Sequence, residues 1–315
     1  MRTKKEPTSA ITLNLQTNLL PKTIRTMLPQ KPKKLLTAFL VISMFGVDYL
    51  FIDSGTGGLP YMLQLKTLLP ESRCVYVGDT KHFPYGEREL DDIRRLSVEL
   101  TEKCIEKFNP KVIVIACNTI SVSSLDVLRK RFSVPFVGTV PAIKLAASLT
   151  KNKCIGLLAT SHTVNDKYTD DLIDRFAKNC SVVRRGDAEL VSFIEHNLFT
   201  ASYEERCKAV TPAVEFFKSR NADSIVLACT HFIHLRREFE DVAGSGVQVI
   251  DSREGVAKQA VHVLLELDGN NRDIKREPEQ VPDQAVYVTG LRSSQDEAEY
   301  RSWCARSNVP FMGTL

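Results

Sequence analysis

Twice along this chain a short apolar run breaks off at Ala-Cys and continues in small polar residues. Residues 112–119 read VIVIACNT, and residues 224–231 read SIVLACTH. Consecutive apolar, largely β-branched positions suit a strand covered on both faces, as parallel strands inside α/β sheets are. Each cysteine then falls where its strand stops, and in an open parallel sheet that carboxyl edge is where ligands bind. The repeat narrows the fold to one that presents two equivalent strand ends, each with a thiol.

The rest of the sequence supplies the helices such sheets need. A strand over 47–52 meets the turn DSGTGG and a helix over 59–69. A strand over 73–77, the polar loop GDTKHFPYGERE and a long amphipathic helix over 90–108 follow. After the strand 112–116, Asn118 and Thr119 are placed to cap the next helix. A short strand at 135–137 follows, and Pro141 can open a helix over 142–149. The alternation restarts at a strand over 154–159 and continues through a helix over 167–177, a strand over 181–184 and helices over 188–197 and 204–219. It then reaches strands at 225–228 and 247–250 and a helix over 254–267. The polar linker DGNNRDIKREPEQVPDQ, read as flexible, leads to a last strand in QAVYVTG and a helix in SSQDEAEYRSWCARSN. Alternating strands and helices imply parallel sheets built from βαβ units. The matched cysteine strands imply two similar, pseudo-symmetric α/β domains with the site in the cleft between them. We expect residues 44–139 plus 250–315 to form the first domain, carrying Cys117. Residues 140–249 are expected to form the second, carrying Cys229.

The net charge of +4 is unevenly spread. Residues 1–43 hold eight basic residues and one acidic residue, so the remaining 34 basic and 37 acidic residues leave the body at −3. A body of that charge gives no electrostatic reason to expect nucleic acid. The first 43 residues lead into LLTAFLVISMFGV at 35–47, whose 13 mostly apolar residues are too few to span a bilayer. No A-x-A cleavage site follows, and the run flows into the first core strand. We expect Met44 to be the natural start, residues 1–43 to be a disordered extension, and no membrane association. The eight cysteines are irregularly spaced and form no CxxC pair. That pattern disfavours a disulfide scaffold or a zinc site and fits the reducing cytoplasm. Cys74, Cys104, Cys154, Cys180, Cys207 and Cys304 read as small buried hydrophobes.

Cys117 and Cys229 differ from these because hydroxyl or amide groups follow each where the strand stops, and helix N-termini there favour anions. A free thiol has a pKa near 8.5, which a helix N-terminus or an imidazolium lowers. Two such cysteines can do redox chemistry, bind a metal, or act as an acid and base pair. The metal option lacks ligand spacing, and the redox option usually relies on CxxC. The acid–base option suits stereoinversion, with one sulfur taking an α-proton and the other returning a proton from the opposite side. Sulfurs approaching one carbon to about 3–3.5 Å from both sides sit roughly 7 Å apart, too far for a disulfide of ~2.05 Å. DSGTGG by itself is no phosphate loop: it has no Walker lysine and does not match GxGxxG.

Five ordered motifs resemble those of the glutamate racemase family, within the aspartate/glutamate racemase superfamily. FIDSGTGGLP is similar to the opening strand and glycine turn, and YVGDTKHFPYGERE to the tyrosine-glycine substrate loop. ACNTIS and ACTHF are similar to the two catalytic cysteine motifs, and VIDSREGVA to the return strand. The resemblance runs from about residue 45 to the C-terminus. It implies a cofactor-independent racemase interconverting L- and D-glutamate, with neither pyridoxal phosphate nor metal. It further implies a bacterial cytoplasmic enzyme, usually a homodimer, supplying D-glutamate for peptidoglycan. Carried over by position, Cys117 and Cys229 are the acid/base thiols. Substrate contacts fall to Asp53 with Ser54, Tyr85 with Gly86, Asn118 with Thr119, and Thr230 with His231. Thr160 and Thr163 correspond to a threonine pair near the substrate carboxylate, and Glu195 to a glutamate that assists the second cysteine. In these places Asp53 can tune Cys117 or hold the ammonium, and His231 with Glu195 can tune Cys229 or shuttle its proton.

The chain departs from the family pattern in several places. Phe232 replaces the usual tyrosine, and Ile233-His234 stand where Pro-Leu is frequent. Ile120 is bulkier than the common alanine, and DSREG replaces DSGEA. These changes bear on pocket size and substrate preference. His162, His196 and His234 read as surface or structural residues. Aspartate or hydantoin racemisation is the nearest rival, since one methylene is discriminated only ~10–200-fold by a pocket. A non-catalytic thiol protein that binds a partner through the same fold is the rival of a different class.

Overall fold

The computed structural model describes residues 46–198, 200–269 and 283–315. The expectations for residues 1–43, for the start at Met44 and for most of the polar linker lie outside the described residues. Among the described residues, ten strands form two sheets. The first contains β1 (Val47–Asp53), β2 (Cys74–Gly78), β3 (Pro110–Ile115), β4 (Phe136–Gly138), β9 (Gln284–Val288) and β10 (Phe311–Thr314), in the order β10-β9-β2-β1-β3-β4. The second contains β5 (Cys154–Ala159), β6 (Ser181–Gly186), β7 (Ser224–Leu227) and β8 (Gln248–Ile250), in the order β6-β5-β7-β8. Every pairing is parallel. The second sheet repeats the β2-β1-β3-β4 order of the first. Each sheet therefore reverses direction beside its first strand, between β1 and β3 and between β5 and β7. Ligands bind in the crevice at such switch points.

The helices are α1 (Leu59–Leu68), α2 (Leu90–Phe108), α3 (Asn118–Arg131), α4 (Ile143–Leu149), α5 (Ser161–Asn165) and α6 (Lys167–Phe176). They continue with α7 (Ala188–Asn197), α8 (Tyr203–Lys218), α9 (Arg236–Ala243), α10 (Arg253–Gly269) and α11 (Ser294–Arg306). Local chemistry sets several boundaries. Ser202 and Glu205 close a capping box at the start of α8, and the Asp187 carboxylate accepts from the Leu190 amide to open α7. Asn109, at φ 41°, ends α2 in the left-handed conformation that asparagine tolerates.

Both faces of each sheet are buried. Phe51, Tyr76, Val114 and Trp303 pack on one face of the first sheet, and Leu50, Val75, Ile113 and Leu100 on the other. Leu158, Ile225, Phe217 and Phe239 cover one face of the second sheet, and Ile155, Leu157, Val226 and Ala146 the other. That burial explains why the central strands are continuous apolar runs. The edge strand β6, SVVRRG, is partly exposed and correspondingly mixed in composition. After β8 the chain returns to the first sheet, where Ala257 and Val261 of α10 pack with Leu59 and Met62 of α1.

Two sequence expectations need correction. Cys117, not Asn118 or Thr119, is the residue that caps α3, and no side chain closes the cap. The backbone turns one residue early, which puts the Asn118 side chain inside the first turn. Cys180 and Cys207 are partly exposed, while the other six cysteines are buried; all eight are free thiols. Between the strand that ends at 159 and the helix expected from 167, Ser161–Asn165 forms the short helix α5, whose single turn is too brief to show a period. Among the described residues no helix is long and apolar enough to cross a membrane.

Candidate active site

β3 ends at Ile115 and β7 at Leu227, and in both cases Ala-Cys follows before a helical turn begins. Cys117 caps α3 with φ −139° and ψ 124°. Cys229 caps a six-residue 3₁₀ turn, Thr230–Leu235, with φ −132° and ψ 135°. The repeat noted in the sequence is thus a repeat of backbone geometry. Both sulfurs belong to one cleft of about 560 Å³ at the carboxyl edges of the two sheets.

Cys117 is served by the end of β1. Its sulfur lies 3.4 Å from Ser54 Oγ, which lies 3.4 Å from Asp53 Oδ1. A thiol proton donated to Ser54 and a hydroxyl proton donated to Asp53 form a continuous relay. Burial pushes the Cys117 thiol well up, the Asp53 charge adds to this, and the Ser54 hydrogen bond partly offsets it. Burial also raises Asp53, against the nearby His231 charge and the Ser54 amide. Both Asp53 oxygens are already engaged. Oδ1 accepts from the Ser54 amide at 2.7 Å, and Oδ2 accepts from the Gly58 amide at 2.5 Å and Tyr76 Oη at 3.0 Å. Asp53 is fully buried and does not line the cleft.

Cys229 is served by a different apparatus. Its sulfur lies 3.8 Å from His231 Nδ1, and His231 Nε2 lies 2.8 Å from Glu195 Oε2 on α7. Burial alone lowers an imidazole, yet the bonds to Cys229 and Glu195 outweigh it and hold His231 well above its ordinary pKa. When protonated, the ring donates at both nitrogens. Burial alone would raise Glu195, but the His231 contact and the Thr56 hydrogen bonds bring it below its ordinary value. Its Oε2 accepts from Thr56 Oγ1 at 2.6 Å and from the Thr56 amide at 3.2 Å. The Glu195 side chain is 3% exposed, so it is not a solvated helix residue.

The glycine turn joins the two halves. A Cβ on Gly57 would lie 2.6 Å from His231 Nδ1, and one on Gly58 would lie 2.6 Å from the Ala116 carbonyl. Neither approach admits a side chain. Further contacts cross the cleft nearby. Thr119 Oγ1 lies 3.2 Å from Thr160 Oγ1, and a Cβ on Gly86 would lie 3.0 Å from Thr160. Thr160 also caps α5, where its hydroxyl donates to Thr163 Oγ1 at 3.0 Å.

Of the residues expected from sequence, Ser54, Tyr85, Gly86, Cys117, Asn118, Thr119, Thr160, Glu195, Cys229, Thr230 and His231 line the cleft. Asp53 and Thr163 stand behind it. The Asn118 side chain is buried with neither its nitrogen nor its oxygen hydrogen-bonded, an unmet capacity beside Cys117. Tyr85 donates to Asp79 Oδ2 at 2.5 Å, which fixes the loop that carries Gly86. Sequence reasoning missed Thr56 and Tyr76. Thr56 was legible as a second hydroxyl in the glycine turn, beside Ser54, whereas a tyrosine on a buried strand looks like core. Among the described residues, no group of three or more His, Cys, Asp or Glu side chains is placed to hold a metal.

Comparison with known proteins agrees with this architecture. The model of the Asp/Glu/Hydantoin racemase family matches residues 62–260. The glutamate racemase of Treponema pallidum (strain Nichols) is 37% identical over 271 residues, covering 85% of this chain and 96% of that protein. The glutamate racemase of a Shewanella species is 41% identical over 219 residues, covering 69% and 79%. The crystal structure of Escherichia coli glutamate racemase, with L-glutamate and the activator UDP-MurNAc-Ala, superposes with a TM-score of 0.74 at 30% identity. It covers 85% of this chain and 98% of that one. Two thiols at matched strand ends in a shared cleft, on a chain similar to these along most of its length, place it plainly: it belongs to the Asp/Glu/Hydantoin racemase family.

Proposed function

We propose that this protein interconverts L- and D-glutamate by proton exchange between Cys117 and Cys229. The observation that carries the reading is the pair of matched cysteine caps in one cleft, each with its own proton-handling partners. One sulfur, as thiolate, takes the α-proton and becomes a thiol. The carbanion then receives a proton from the other thiol on its opposite face, which leaves that sulfur as thiolate. Atoms and charge balance, and the α-carbon inverts. Ser54 and Asp53 handle the proton at Cys117, and His231 and Glu195 handle it at Cys229. Asp53 acts through Ser54 as a positioning residue, since its oxygens are already satisfied. Asn118, Thr119, Thr160 and Thr230 offer neutral donors for the substrate carboxylates. The two sheets with their helices are the two domains, the chain crossing near residue 140 and returning after β8.

Circular dichroism of the purified protein with L-glutamate, and then with L-aspartate, tests this reading. Loss of optical activity with glutamate, much slower with aspartate, supports it. In deuterium oxide the product enantiomer must carry α-deuterium. Faster racemisation of aspartate would move the protein to the rival specificity, and no exchange with either would leave only a binding protein.

A further inference from the structure

We propose that His234 is a positioning residue for the Cys229 half of the site, acting through Thr56. This rests on the racemase reading above. His234 and His231 lie three residues apart in the 3₁₀ turn Thr230–Leu235. Side chains at that spacing eclipse one another in a 3₁₀ helix, so both rings face the same way. What they face is the glycine turn after β1. His234 Nε2 lies 3.3 Å from the Thr56 carbonyl. A carbonyl only accepts, so the ring donates its Nε2 proton there.

The peptide of Thr56 is thereby gripped from two directions. His234 holds its carbonyl, while its own amide and hydroxyl hold Glu195, the residue that holds His231. The chain of contacts runs His234, Thr56, Glu195, His231, Cys229. It closes on itself, because both histidines belong to one short turn. The other side of the His234 ring meets Trp303 of α11 edge-on, with centroids 5.9 Å apart. Burial and the nearby His231 charge push its imidazole down to about 4. The ring is therefore neutral at physiological pH and adds no second charge beside His231. The family pattern places an apolar residue here, which could fill the space but could not donate to Thr56.

The test compares His234→Met with His234→Gln, two side chains of similar length of which only glutamine has a donor. The wild type must first racemise glutamate; if it does not, the functional reading itself fails. Given that activity, H234M should lower kcat/KM about three- to tenfold, less than the ~10²–10⁴-fold cost of losing an acid or base outright. H234Q should recover most of the loss. Because the equilibrium constant is fixed, kcat/KM falls equally in both directions, so isotope effects supply the decisive readout. With α-deuterated substrate, H234M should raise the primary effect for the enantiomer that Cys229 deprotonates and lower it for the other. Wild-type kinetics in H234M would overturn the proposal. Equal changes for both enantiomers, or failure of H234Q to recover, would also overturn it. If H234M does not fold, His234→Leu, which also lacks a donor, takes its place against H234Q and wild type, and unchanged isotope effects in H234L count against the proposal.

Discussion

The two thiols occupy equivalent places in two sheets of the same strand order, yet their surroundings are chemically opposite. Cys117 faces a hydroxyl and a carboxylate, so its neighbourhood is an acceptor of protons. Cys229 faces an imidazolium held by a carboxylate, so its neighbourhood is a store of one. Both caps are extended and their backbone angles differ by only 7° in φ and 11° in ψ, so the difference lies in the side chains and not in the backbone. A symmetric scaffold with asymmetric partners keeps one sulfur protonated by burial and the Asp53 charge while the other has a proton held beside it. An exchange between two bases needs them in opposite protonation states before the substrate arrives.

The strongest test of this pairing removes each sulfur in turn. Cys117→Ser and Cys229→Ser should each lower kcat by about 10²–10⁴-fold, measured by circular dichroism. A near-normal rate in either variant would break the comparison, because that half would then be dispensable.

The next effect concerns the Cys229 half alone. Glu195→Gln removes one partner of a buried pair, which costs about 3–5 kcal/mol, read from denaturant unfolding. The folded-state pKa of Glu195 is depressed, so its contribution is present above the unfolded value of about 4.3 and lost as pH falls through the folded value. The folded-state pKa of His231 is raised, so its contribution is complete below about 6.5 and lost as pH climbs through that raised value. The stability gap between wild type and variant should thus be widest near pH 5–6 and shrink on both sides. A gap independent of pH would show that the pair is not ionic.

On the Cys117 side the effects are smaller. Asp53→Asn removes a negative charge that pushes the thiol up, so the thiolate fraction rises. Iodoacetamide should then label Cys117 up to about tenfold faster at fixed pH, followed by peptide mass spectrometry, with no change at Cys229. Slower labelling would reverse the assigned sign. Smallest of all, Ser54→Ala should cost a single hydrogen bond, about 1 kcal/mol or roughly fivefold in kcat. A loss as large as that of C117S would show that Cys117 cannot exchange its proton without Ser54.

Much of this arrangement was legible before any coordinates. The VIVI and SIVL runs announce doubly covered strands because burial on both faces leaves no polar alternation to mask them. Their Ala-Cys endings locate the catalytic edge because strand ends are where parallel sheets expose backbone. The edge strand β10, at FMGT, was not legible, since only Phe311 in it is buried and four residues carry too little pattern. Asn118 was misread as a cap because its residue type favours that role, whereas tertiary placement left its amide unbonded. The link from Thr56 to Glu195 spans 139 positions and joins a strand end of one sheet to a helix of the other, a proximity that no local period encodes. The contact of His234 with the Thr56 carbonyl spans 178 positions and is equally invisible to local pattern.

The glycine turn after β1 belongs by sequence to the first sheet, yet its Thr56 anchors the acid that orients the second thiol's histidine. That contact is a seam between the sheets, so any separation of the two along it would break the Thr56–Glu195 hydrogen bonds and free the histidine's carboxylate partner. The Thr56 amide is the hydrogen whose exchange with solvent would report such a separation.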